Sequence, residues 1–116
     1  MSYLLLIVEP NGQRATRTEA EGREVYARML QFAADLQSRG QLKAVESLGP
    51  LNNAARVSAG GATVLDGPFA EAKEMIGGFF LLEGVSREQA VAIARRCPAA
   101  EWATVEVREL APCYVA

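Results

Sequence analysis

The residues best suited to chemistry lie together in one polar segment near the middle of the chain. Asp66, Glu71 and Glu74 supply three carboxylates and Lys73 an amine, between two apolar stretches. Carboxylates beside a lysine in a cleft can shift one another's pKa and act as an acid/base set. We therefore expect Asp66 and Lys73 to be catalytic, and Glu71 and Glu74 to bind ligand or tune Lys73.

The same segment also has a structural interpretation. Asp66-Gly67 and Gly67-Pro68 are dipeptides common in turns. An aspartate side chain in such a turn often accepts hydrogen bonds from nearby backbone N–H groups. From the residue types alone, the segment is equally consistent with a reactive cleft and with a locked loop.

Arg56 is a further candidate, because it could neutralise an anionic group on a ligand. Its position relative to Asp66 depends on the register of a predicted hairpin, since successive strand residues point to opposite faces. A two-residue loop at Gly60-Gly61 pairs Arg56 with Leu65 and places Asp66 on the other face. A three-residue loop at Gly60–Ala62 instead sets Arg56 directly opposite Asp66.

Composition excludes several classes of function. The chain has 116 residues, enough for one domain, and twelve Lys and Arg against fourteen Asp and Glu give a net charge of −2. We expect no nucleic-acid partner, because a phosphate-binding protein should show a basic stripe. The absence of histidine and of nucleotide-binding glycine loops predicts no transition metal and no cofactor. A weak Mg²⁺ or Ca²⁺ site on Asp66, Glu71 and Glu74 stays open.

The cysteines and the N-terminal residues bear on location. Cys97 and Cys113 are interpreted as reduced thiols, with a single bridge or a catalytic thiol as the alternatives. The apolar run Tyr3–Val8 is too short for a signal-peptide core or a membrane span. We therefore expect a cytoplasmic protein without a membrane partner.

Hydrophobic patterns predict alternating strands and helices. Capping boxes at Thr18–Glu21 and Ser86–Gln89 predict the starts of two helices. The first should extend from about Glu19 to Arg39, and the second should end at Cys97. Segments with strand character are Tyr3–Val8, buried on both faces, then Gln41–Leu48, Ala54–Ala59, Ala62–Asp66, Phe79–Glu83 and Thr104–Leu110. Between the last hairpin strand and Phe79, Ala70–Ile76 is either a helical turn or a loop, closed by Gly77-Gly78.

This order predicts a single domain over residues 1–116 with an α+β, ferredoxin-like βαββαβ sandwich and an inserted β-hairpin. Two helices can cover only one face of the sheet. Because Tyr3–Val8 and Phe79–Leu82 offer apolar groups to both faces, we expect a homodimer joined through the open faces. In the alternative, the hairpin and the tail Ala111–Ala116 cover that face within one chain.

Several motifs resemble those of the YCII-related family with a DGPF motif. The string Asp66-Gly67-Pro68-Phe69 is followed by Ala70-Glu71-Ala72-Lys73-Glu74 and then by Gly77–Glu83, an order similar to the family signature. The opening Tyr3–Ile7 resembles the first strand of that family. Arg56, Cys97-Pro98 and Val105–Arg108 also fall where the family would place them, so that the resemblance extends from about Tyr3 to Leu110.

The resemblance implies a dimeric α+β barrel with a cleft near the dimer interface. The wider superfamily includes a dehydrochlorinase in which a His–Asp pair is thought to matter; Asp66 would correspond to that aspartate, and this chain has no histidine. Ala72 stands where the family usually has threonine. Some members resemble neighbours of extracytoplasmic-function sigma factors.

Two hypotheses follow for the function. In the first, the protein is an enzyme or a binder for a small polar or aromatic molecule, with Asp66, Lys73 and Arg56 in its cleft. In the second, it is a non-catalytic regulatory or scaffold protein, with a sigma factor as a possible partner. An open cleft would favour the first hypothesis, and charges paired with one another would favour the second.

Overall fold

A computed structural model describes all residues, 1–116, as six strands and two helices. The strands and helices, in chain order, are β1 (Ser2–Pro10), α1 (Glu19–Ser38), β2 (Leu42–Ser47), β3 (Ala55–Ser58), β4 (Thr63–Asp66), β5 (Glu74–Glu83), α2 (Arg87–Arg96) and β6 (Thr104–Glu109). Four short 3₁₀ turns lie at Gln13–Thr16, Leu51–Asn53, Ala59–Gly61 and Pro98–Glu101. Neither helix combines the length and the apolar character that a membrane span requires.

The main sheet has four antiparallel strands in the order β2-β5-β1-β6, with β1 and β5 at its centre. Strands β3 and β4 form a separate two-stranded hairpin. Without the hairpin, the order is that of a ferredoxin-like fold, and the predicted α+β class is confirmed.

Both helices begin at the predicted capping boxes. Thr18 accepts a hydrogen bond from the Glu21 N–H while the Glu21 carboxylate accepts one from the Thr18 N–H. Ser86 and Gln89 make the same reciprocal pair at the start of α2. Each pair satisfies backbone N–H groups that a helix otherwise leaves without a partner.

The core lies between the helices and one face of the sheet. Alternate residues of β1, starting with Tyr3, Leu5 and Ile7, are buried on this face. Phe80 and Leu82 of β5 lie beside them, and the Phe80 ring meets Phe32 of α1 edge to face with centroids 5.3 Å apart. The opposite face of β1 is only half-buried, which differs from the predicted strand buried on both faces.

The glycine pair Gly77-Gly78 lies inside β5 and does not close a loop before it. The strand begins at Glu74, and the residues from Ala70 to Lys73 form an ordered turn. Pairing with β1 shifts by one residue here, since Ile7 lies opposite Gly78 and Val8 opposite Ile76. Gly77 is therefore the extra residue of a β-bulge, and the sequence prediction of its role was wrong.

Neither the hairpin nor the C-terminal tail is packed onto the chain's own sheet. Every residue from Ala55 to Asp66 is exposed, and so is every residue of Ala111–Ala116. The radius of gyration is 15.7 Å, compared with about 13 Å for a compact chain of this length. The open face of the sheet therefore has no cover within one chain.

Gly67 is required by a close approach of two backbones. Its N–H donates to the Ala54 carbonyl at 2.7 Å, and a methyl group on its Cα would overlap the Leu51 carbonyl oxygen. Because that oxygen belongs to the backbone, the overlap cannot be relieved by a rotamer change.

We expect Gly67→Ala to lower the free energy of unfolding by about 1–3 kcal/mol or more, since the added methyl overpacks the turn. Gly49→Ala is the matched control, because a methyl group there would meet no atom within 4 Å. Denaturant melts of both variants test this; equal stability of the two would contradict it.

Candidate functional site

The two residues predicted to be catalytic have no side-chain partner in the structure. Asp66 ends β4 and Lys73 precedes β5, and both side chains are exposed. Neither forms a side-chain hydrogen bond or an ion pair. The acid/base set that the sequence suggested is therefore not assembled within one chain.

The hairpin has the register in which Arg56 does not pair with Asp66. Arg56 lies opposite Leu65 and Asp66 opposite Ala55, so that the two side chains point to opposite faces of the hairpin. The Arg56 guanidinium carbon lies 3.8 Å from the centroid of the Phe69 ring. This arginine packs on an aromatic ring and does not join Asp66.

The two predicted ligand-binding carboxylates also lie in different surroundings. Glu71 is 3.7 Å from Arg56, with both side chains largely exposed. Glu74 is exposed at the start of β5, opposite Pro10 of β1. No group of three acidic or cysteine side chains lies close enough to hold a metal ion, so Asp66, Glu71 and Glu74 do not form the Mg²⁺ or Ca²⁺ site that the sequence left open.

The segment after Asp66 is instead anchored to the end of β1. The Asn11 amide donates to the carbonyls of Phe69 at 3.2 Å and Ala72 at 3.0 Å, and its backbone N–H donates to Lys73 at 2.9 Å. Phe69 is 3% exposed. Three hydrogen bonds from Asn11 and one buried ring therefore fix this loop, whereas the Asp66 side chain does not bond the backbone of the turn.

A cavity of about 780 Å³ opens elsewhere, between α1 and the sheet. It exists because only the C-terminal half of α1, through Ala33 and Leu36, is buried against the core. The N-terminal half stands away from the sheet, and the side chains of Tyr26 and Leu30 are each more than half exposed at the opening. We call this space the α1 cavity. Its volume falls in the range of about 300–1,000 Å³ that is usual for small-molecule sites.

The floor of the α1 cavity carries an ion pair between a buried carboxylate and a half-buried arginine. Glu9 is 5% exposed, and Arg14 binds it with two hydrogen bonds, from Nη2 to Oε1 at 2.6 Å and from Nε to Oε2 at 3.1 Å. Arg14 also donates to the carbonyls of Leu48 at 2.8 Å and Gly77 at 3.2 Å. One guanidinium thus links β1, the end of β2 and β5, in the bidentate geometry that makes arginine–carboxylate pairs strong.

Gly77 makes room for this pair. A methyl group on Gly77 would overlap Oε1 of Glu9 and would crowd Nη2 of Arg14. The bulge therefore needs glycine because a carboxylate and a guanidinium approach its backbone closely.

Trp102 forms one end wall of the α1 cavity. Two arginines lie near its ring, with the guanidinium carbons of Arg17 and Arg28 at 5.7 Å and 5.5 Å from the centroid. Arg28 also pairs with Glu101, and this hydrogen bond lowers the pKa of the Glu101 carboxyl. The contact links the middle of α1 to the turn that carries Trp102.

The thiols play no part in the α1 cavity. Both cysteines are free, as predicted, with Cys97 buried and Cys113 exposed. Burial raises the pKa of the Cys97 thiol, which disfavours the reactive thiolate.

Sequence reasoning missed Glu9, Arg14 and Trp102. The signal for Glu9 was its spacing, because it continues the alternation of buried residues in β1. No sequence pattern indicated Arg14 or Trp102. Each lies in or directly after a short 3₁₀ turn, so only the folded path of the chain brings it to the cavity.

We expect Gly77→Ala to lower the free energy of unfolding by about 1–3 kcal/mol, because the methyl displaces the Glu9 carboxylate from Arg14. Gly22→Ala, within α1, is the control: its methyl meets no atom within 4 Å, and alanine favours the helix by up to about 1 kcal/mol. Chemical denaturation of both variants measures the difference, and an unchanged Gly77→Ala variant would refute the role given to this glycine.

Asp66→Asn and Lys73→Met should each leave the free energy of unfolding within about 0.5 kcal/mol of the parent, because both side chains are exposed and unpaired. Thermal and denaturant melts check this. A loss of about 1–3 kcal/mol for Asp66→Asn would instead indicate a buried hydrogen bond.

Comparison with known proteins relates the whole chain to one family. A family model described as the YCII-related domain matches residues 1–113. An uncharacterised protein of Rhizobium meliloti (strain 1021) is 38% identical over 102 residues, which cover 81% of this chain and 82% of that protein. Because the match extends over nearly the full length, the chain belongs to the YCII-related domain family.

Proposed function

We propose that this YCII-related domain binds a small molecule in the α1 cavity, as an enzyme or as a ligand-binding protein. The observation that carries the proposal is an open space of about 780 Å³ with apolar walls and one ion pair on its floor. Small-molecule sites usually combine such walls with a few fixed polar groups.

The floor pair suits recognition more than proton transfer. Both Glu9 oxygens accept hydrogen bonds from Arg14, which is held in turn by the Leu48 and Gly77 carbonyls. Glu9 is thus a fixed acceptor that can orient a ligand hydroxyl or amide.

The alternative role is that of a non-catalytic regulatory or scaffold protein, including one that binds an extracytoplasmic-function sigma factor. The ion pair of Arg56 with Glu71 and the packing of Arg56 on Phe69 support a structural role for the hairpin and the loop beside it. The open α1 cavity favours ligand binding over this alternative. Asp66 and Lys73 stay predicted catalytic groups, and a ligand that reaches them would have to extend beyond the α1 cavity.

A thermal-shift screen of small metabolites tests the proposal. A ligand at 100 times its dissociation constant should stabilise the protein by about 2.7 kcal/mol. Ala27→Phe should abolish the shift because Ala27 lines the α1 cavity, whereas Ala34→Phe should not, because Ala34 is an exposed α1 residue outside it. Hits that are unaffected by Ala27→Phe would place ligand binding elsewhere and overturn the proposal.

We further propose that the protein is a homodimer joined through the open face of the sheet. Leu4, Leu6 and Val8 of β1 lie on that face beside Phe79 and Leu81 of β5, and no segment of the chain covers them. Only 19 of 116 residues are buried, so that one chain alone forms a small core. A second copy of the same sheet is the simplest symmetric cover.

Light scattering should therefore give twice the chain mass of 12.5 kDa at micromolar concentration. Leu81→Glu places a charge on the open face and should shift the mass to that of one chain. Tyr114→Glu, in the exposed tail, should leave the dimer intact. A parent protein with the mass of one chain would disprove the assembly without bearing on ligand binding.

A further inference from the structure

The rim of the α1 cavity carries a cation that has no carboxylate partner. Arg17 lines the cavity and is half-buried, yet it forms no ion pair, and its one side-chain hydrogen bond goes to the neutral Gln13 amide at 3.3 Å. The other two cavity arginines are neutralised. Arg14 lies 2.6 Å from Glu9, and Arg23 lies 2.9 Å from Glu19.

The nearby carboxylates do not cancel the charge of Arg17. Glu46 also lines the cavity, but it lies opposite Phe79 in the sheet, on the other face from the core-packed Val45, and it forms no ion pair with Arg17. The Glu21 carboxylate accepts the Thr18 N–H, which lowers the pKa of Glu21 more than the nearby charge of Arg17 does, and Glu21 does not line the cavity. Arg17 is therefore the arginine of the cavity lining that has no carboxylate within ion-pair distance.

An aromatic surface lies directly beside this cation. The Arg17 guanidinium carbon is 5.7 Å from the centroid of the Trp102 ring, which is half-buried and lines the same cavity. The turn that carries Trp102 is fixed, since the Trp102 carbonyl accepts a hydrogen bond from Gln13 at 2.9 Å. Across the opening, Tyr26 and Leu30 of α1 add apolar surface.

An anionic ligand with a planar, apolar ring fits the Arg17 guanidinium and the Trp102 ring. Arginine binds a carboxylate through two parallel hydrogen bonds, and an indole ring packs best against another planar group. We propose that the α1 cavity takes a small aromatic carboxylic acid, with its carboxylate on Arg17 and its ring against Trp102. This assignment rests on the proposed function and specifies the ligand class of the same site.

The test uses three probes of similar size: phenylacetate, its neutral counterpart phenylacetamide, and the non-planar cyclohexylacetate. Calorimetric titration of the purified protein should show phenylacetate binding at least about tenfold more tightly than phenylacetamide, a difference of about 1.4 kcal/mol. Cyclohexylacetate should bind several-fold more weakly than phenylacetate. Because Trp102 is the only tryptophan, its fluorescence should respond to phenylacetate.

Substitutions of Arg17 test whether this side chain causes the preference for phenylacetate over phenylacetamide. Arg17→Gln should remove the advantage of phenylacetate over phenylacetamide and leave binding of the amide unchanged. Arg17→Lys should retain part of the advantage, which keeps the test valid if Arg17→Gln folds poorly. Arg87→Gln, an exposed arginine of α2 outside the cavity, should change nothing.

Each contrary result has a distinct meaning. Equal affinity for phenylacetate and phenylacetamide, or full phenylacetate binding by Arg17→Gln, would overturn the carboxylate assignment and leave ligand binding in the cavity intact. Equal affinity for cyclohexylacetate would overturn the aromatic part. Absence of binding by all three probes would overturn the ligand class, whereas binding in the cavity itself is decided by the Ala27→Phe comparison.

Discussion

The alternation of buried residues along β1 is the constraint on which the other features depend. Tyr3, Leu5 and Ile7 point toward the helices, and the same period places Glu9 on that face at the end of the strand. A carboxylate there is costly without a charged partner. Arg14 supplies the partner, and the bulge at Gly77 supplies the space. The cavity under α1 thus has a polar floor because Glu9 lies near the end of the otherwise apolar strand β1.

Sequence reasoning found the features that depend on local pattern. Both helix starts were predicted, because the Thr18–Glu21 and Ser86–Gln89 pairs act within one turn of chain. The order of strands and helices along the chain followed from the apolar segments. The role of Gly77 was mistaken, because paired glycines look alike in a turn and in a bulge; only the Glu9 side chain, 68 positions earlier in the chain, distinguishes them.

The candidate site could not be predicted to the same degree, because its members come together through tertiary structure. Charges that cluster in sequence around Asp66 and Lys73 spread out on an exposed hairpin and loop. Arg14 and Trp102, which are 88 positions apart, line one cavity. The density of charged residues in the sequence indicated which segments form polar loops. It did not indicate where a cavity would form, since that depends on how far α1 lies from the sheet.

The one-sided anchoring of α1 also implies that the helix is not equally stable along its length. Its C-terminal half is held by the buried Ala33 and Leu36, and its middle by Met29, which packs partly against the core, and by the surface pair of Arg28 with Glu101; no residue of its first two turns is buried. Segments with few buried contacts open at a lower free energy than the core. Backbone amides in the first turns of α1 should therefore exchange their hydrogens faster than those of β1.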